Sequence, residues 1–140
     1  MTEPLGFEVA LNESFQDALA RTREALKAEG FGVLTEVDFQ RTFQEKLGQA
    51  FPPYVMLGAC NPALAYRALS TAPEVGLLLP CNVTVEGRPG GSLVRLVNPS
   101  LLLAAGRLAD QPQVVEIAAD ARARLERVAA SLRRSGAPAA

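Results

Sequence analysis

Apolar and polar residues change period several times along the chain, and each change predicts an element. "GFEVAL" alternates weakly and predicts a strand over about residues 6–11. Phe15, Leu19, Thr22 and Leu26 then recur at helical spacing, with Asn12 or Ser14 as N-cap and Gly30 as a left-handed C-terminal cap. "FGVLTEVDF" returns to alternation, with Val33, Thr35, Val37 and Phe39 on one face and Leu34, Glu36 and Asp38 on the other. "QRTFQEKLG" predicts a short helix ended by Gly48, "QAFPP" a turn, and "YVMLGA" an apolar strand. "NPALAYRAL" predicts a helix with Asn61 as N-cap and Pro62 in the first helical position.

"EVGLLLPCNVTVEG" reads as a long extended segment interrupted by Pro80, which favours a sheet edge or a bulge there. "RPGG" is a turn and "SLVRLV" the return strand of a hairpin. "NPSLLLAAGRLAD" fits either an apolar flap or one helical turn. Val114, Ala118, Ala121, Leu125, Val128 and Leu132 form the strongest helical stripe of the chain, over about residues 113–132. A single domain over residues 1–134 is expected, with 135–140 a disordered tail. The order β-α-β-α-β-α-β-β-α alternates too irregularly for a doubly wound fold. An α+β class is expected, with a mostly antiparallel sheet and helices on one face.

Composition narrows the function classes. With 140 residues, 49% apolar and 21% charged, the chain is expected to be one soluble globular domain. A net charge of −1 supplies no global field for nucleic acid or anionic membrane, so neither is expected as a partner. Arg122, Arg124, Arg127, Arg133 and Arg134 are interspersed with Glu116, Asp120 and Glu126 and read as a solvated helix face. "MTEPLGFEVA" lacks a signal-peptide pattern and no apolar run is long enough to span a membrane, so a cytoplasmic location is expected. The arginine-, alanine- and proline-rich composition hints at a thermophilic source. The chain contains no histidine, which excludes Ser-His-Asp and Cys-His machinery and His-ligated zinc.

The chemistry-bearing residues that remain are few. The two cysteines stand in matched settings, "GACNP" and "LPCNV". Cys60 lies one residue before Asn61, at the mouth of a helix N-terminus, where a thiolate is favoured. It is the better candidate for a reactive or ligand-binding thiol. Alternation places Cys81 inward with Val83 and Val85, and Asn82 on the opposite face with Thr84 and Glu86, unless a bulge at Pro80 re-aims them. A disulfide closing a loop of about 22 residues would contribute roughly 3 kcal/mol, yet in a cytosol free thiols are expected. Glu36 and Asp38 share a strand face at about 7 Å and could hold a cation or do acid–base work, with Lys46 as a counter-charge. "GRPGG" is only a hairpin turn and has no strand–loop–helix context for phosphate.

"EGFGVLTEVD", "EKLG", "LGACNPALAYRAL" and "VGLLLPCNVTV", in this order and spacing, resemble domain-of-unknown-function family 302 over roughly residues 7–100. The resemblance implies a compact α+β domain with a curved antiparallel sheet on a long packed helix, of the TATA-binding-protein-like type, and a homodimer. It supplies no reaction. Three readings follow. The first is a small-ligand or metal-ion binding module around Cys60, Asn61, Cys81 and Asn82. The second is a thiol-dependent enzyme or redox protein using Cys60. The third is a structural or interaction protein whose cysteines only pack. No cofactor is identified and no residue is assigned as a metal ligand.

Overall fold

Local signals set the element boundaries. In the computed structural model, which describes residues 3–135, Ser14 Oγ accepts from Asp17 N at 3.1 Å and opens α1 (Phe15–Ala28) after β1 (Gly6–Leu11). Gly30, at φ +85°, ends that helix, as the glycine rule requires. β2 (Gly32–Asp38) leads directly into α2 (Phe39–Leu47), which left-handed Gly48 terminates. β3 (Tyr54–Cys60) feeds α3 (Pro62–Thr71), and a 3-10 turn (Pro73–Leu78) leads to β4 (Cys81–Arg88). β5 (Gly91–Val97), the one-turn α4 (Pro99–Leu102), a second 3-10 turn (Gly106–Asp110) and α5 (Pro112–Ser135) complete the chain.

The strands form one sheet in the order β1-β5-β4-β3-β2, antiparallel throughout, so the expected α+β class holds. α1 and the C-terminal half of α5 cover one face. There Val9, Leu57, Val83, Val85, Val94 and Leu96 meet Leu26, Leu125, Val128 and Leu132. The N-terminal half of α5 serves a second cluster, where Val114, Ile117 and Ala118 meet Leu64 and Ala68 of α3, Val75, Leu103 and Leu108. Every residue of the predicted α5 stripe is buried. Among the described residues no helix is long and apolar enough to cross a membrane.

Several expectations change. "EVGLLL" is not extended; most of it forms the 3-10 turn. Pro80 is at neither an edge nor a bulge, because pairing of the central strand β4 starts at Cys81, and a proline just outside the ladder removes no ladder donor. The bulge is instead in β2, between Val33 and Thr35. It reverses the later alternation. Val33 opposite Ala59, Glu36 opposite Leu57 and Asp38 opposite Val55 face the helices, while Thr35 and Val37 turn to the open face. Phe39 belongs to α2 rather than to the strand.

"NPSLLLAAG" resolves as the helical turn, with Leu103 buried and Leu101 exposed. Its anchor is fully buried Asn98, whose Oδ1 accepts from Ser100 N and whose Nδ2 donates to Pro4 O, both at 3.0 Å. Arg134 is exposed, as expected, but the other four arginines of α5 are not merely solvated. Arg122 pairs with Glu3 and lies 5.6 Å over the Phe7 ring, Arg124 and Arg127 bind Glu29, and Arg133 bonds Glu8 O on the β1 edge. They tie the helix to α1 and β1. The tail expected at 135–140 lies outside the described residues, apart from Ser135 at the end of α5.

Candidate site at the Cys–Asn motifs

Asn61 ends β3 and opens α3. Its backbone is extended, at φ −97° and ψ 105°, and its Oδ1 accepts from Leu64 N at 3.2 Å. This satisfies one of the donors orphaned at a helix start. Its Nδ2 lies against Gly30, where a Cβ would come within 2.9 Å of it. Asn61 therefore has the capping role read from the sequence.

β3 and β4 bring the two cysteines together. Ala59 pairs with Cys81 and Gly58 with Asn82, so Cys60 is one residue along from the partner of Cys81. The close packing above this pair needs Gly58. A Cβ there would meet Thr35 Cγ2 at 2.5 Å and Pro80 Cγ at 2.8 Å. Cys81 is buried toward the helices, with Val83 and Val85, as its alternation predicts. Both thiols are free.

Cys60, Asn61 and Cys81 line one cavity of about 40 Å³, whose remaining walls are apolar side chains that include Phe31, Leu64 and Ile117. Phe31 and Cys81 belong to the sheet core and Leu64 and Ile117 to the α3–α5 cluster, so the cavity lies at the seam between the two. Its walls come from β3, α3, β4, α5 and the segments at Phe31, Leu79–Pro80 and Leu103, which is why no local pattern reveals it.

Electrostatics at the seam runs against the helix-mouth expectation. Burial pushes the Cys60 thiol up rather than down. Burial, and secondarily the neighbouring Cys60 charge, push the Cys81 thiol up to about 11. The physical reason is burial, which penalises a thiolate.

The other predicted site residues lie elsewhere. Asn82 points to the open sheet face, where it lines a groove of about 520 Å³ with Tyr54, Thr84 and Arg95. Thr84 Oγ1 is buried there without a hydrogen-bond partner among the described residues. Arg95 is held by Glu86 at 2.7 Å and Glu8 at 3.2 Å. Glu36 is paired with Arg23 of α1, and Asp38 Oδ1 caps α2 by accepting from Arg41 N at 3.0 Å. Lys46 is exposed in the last turn of α2. Neither carboxylate nor Lys46 lines the cysteine cavity, and among the described residues no three His, Cys, Asp or Glu side chains gather as a metal site. A further groove of about 560 Å³ lies at the opposite end of β4, under the β4–β5 hairpin, and is lined by turn residues such as Asn12, Pro53 and Gly91.

Comparison with known proteins agrees with the fold and stops there. The family model "Domain of unknown function DUF302" matches residues 7–132. The chain is similar to the crystal structure of an uncharacterized conserved DUF302 protein from Bacillus stearothermophilus. The two are 32% identical with a TM-score of 0.83, over 94% of this chain and all of that one. No curated protein matches the chain.

Proposed function

Because the chain belongs to the DUF302 family, whose name leaves the activity open, we propose from geometry that it is a binding module whose site is the Cys60–Cys81 cavity. Convergence carries this reading: two cysteine residues from neighbouring strands, with the Asn61 cap, line one small and otherwise apolar space. A volume of about 40 Å³ takes only one to about three non-hydrogen atoms. The ligand is therefore an ion or a very small group, and a drug-sized organic molecule does not fit. Both thiols are pushed toward the protonated form, opposite to what an activated nucleophile needs, which weakens the thiol-enzyme reading. Asn82, Glu36, Asp38 and Lys46 take no part in this reading.

The test is a native mass spectrum of the protein purified from its own source, beside a Cys60→Ser, Cys81→Ser variant. Wild type should carry an added mass that the variant lacks, with circular dichroism unchanged. If neither protein retains any mass and the variant is merely less stable, the cysteines only pack and the reading is wrong. We also propose a homodimer in the cytoplasm, the assembly that the family resemblance implies. Sedimentation at micromolar concentration that returns only a 14.9 kDa species would refute the dimer.

A further inference from the structure

α1 and α5 cover only one face of the five-stranded sheet. On the other face the strand register sets a middle row of Glu8, Arg95, Thr84, Met56 and Val37, running from one edge strand to the other. The middle of this face is already dry. Leu93, opposite Ala10 and Glu86, is buried although it belongs to neither core cluster, and Thr84 Oγ1 is screened from water. Beyond β3 the apolar surface continues into α2, none of whose residues is buried. Phe39 and Phe51 pack their rings against Tyr54 at 5.9 and 6.1 Å, and Phe51 is still 41% exposed.

Charge and size select the occupant. The strand positions of this face carry two acids, Glu8 and Glu86, and two bases, Arg88 and Arg95, so the face is neutral. Arg95 is held between both acids. A nucleic-acid backbone would find no uncompensated row of cations here, whereas a neutral surface meets its own copy without net repulsion. Five strands of this length span roughly 24 Å each way, a flat footprint of about 550 Å² before side-chain relief is counted. With that relief and the aromatic cluster, the face matches the roughly 800 Å² that each partner buries in a stable interface.

We propose that this open face, continued by the Phe39–Phe51–Tyr54 cluster, is the surface through which two copies of the chain pair, an assignment that rests on the homodimer reading. The sheets stack face to face about a two-fold axis, with the helices outward. Met56, Val37 and Val97 lose water on pairing. Arg95 enters already paired with its two carboxylates, so no lone charge is buried. The groove along Tyr54, Asn82 and Arg95 is then roofed by the second copy.

The experiment is sedimentation of the full chain across the micromolar range, beside two variants whose folding is checked by circular dichroism. Met56→Lys sets two like charges near the middle of the interface and should weaken dimerisation by about 100-fold or more. Leu101→Lys, on the exposed side of α4, should leave it unchanged. A second readout needs no change in the face. The chain has two tyrosines and no tryptophan, so Tyr66→Phe leaves Tyr54 as the single reporter. Quenching of its fluorescence by acrylamide should rise on dilution through the dimer–monomer transition, and it decides alone if Met56→Lys fails to fold.

A wild-type chain that sediments only as a monomer overturns both this surface and the homodimer reading. The surface alone is overturned, and the homodimer stands, in three cases: folded Met56→Lys still dimerises as wild type, Leu101→Lys breaks the dimer, or dissociation leaves Tyr54 quenching unchanged.

Discussion

Cys81 and Asn82 are adjacent in sequence and face opposite sides of the sheet, and that alternation separates their chemistry. For Cys81 the consequence is measurable as a pH dependence. An unfolded thiol loses its proton near 9.0, whereas folded Cys81 holds its proton to about 11. Between those values the unfolded chain binds fewer protons, so stability falls as pH rises, by up to about 2–3 kcal/mol, and is unaffected below the window. Urea midpoints of the metal-free protein should therefore fall between pH 9 and 11, and Cys81→Ala should flatten that fall. An identical slope in the variant would contradict the burial assigned to this thiol. Cys60, half-buried, should react with iodoacetamide more slowly than a free thiol at pH 7.5, and Cys81 only on unfolding. Mass-mapped labelling that shows Cys60 faster than glutathione would restore the thiol-enzyme reading. The inward direction of Cys81 was legible from its alternation with Val83 and Val85. The raised Cys60 thiol was not, because desolvation depends on walls supplied by distant segments.

At the scale of elements, caps and close packing position the site. Asn61→Ala removes the α3 cap and should cost about 1 kcal/mol, while Asn61→Asp should keep most of it. Gly58→Val would force a side chain into Thr35 and Pro80 and should cost about 1–3 kcal/mol. Equilibrium urea unfolding checks both, and a neutral Gly58→Val would mean that Pro80 is not seated over β3 as described. The caps at Asn61 and Gly48 were readable, and Ser14 was one of two candidates with Asn12, because a cap is a contract between residues a few positions apart. The face of Glu36 was not. One extra residue at the β2 bulge flips every side chain after it, so the carboxylates face α1 and α2 and are engaged there.

At the scale of the molecule, α5 joins two apolar clusters, with Leu125 in the sheet core and Val114 and Ile117 in the other. Leu125→Ala should cost about 2–5 kcal/mol and lower the single unfolding transition as a whole. A split into two transitions would show that the clusters unfold independently, and the cavity at their seam would then not be a rigid site. The sequence by itself determined most of the elements, the caps at Asn61 and Gly48, the buried stripe of α5, the α+β class and the family. Those depend on periods and spacings within a few turns of chain. Only the tertiary structure decided that Pro80 precedes a central strand, that the α5 arginines tether the helix, and that Cys60 and Cys81 share one cavity. Each of these depends on which strands pair and in which register, and that is settled by contacts between residues far apart in the chain.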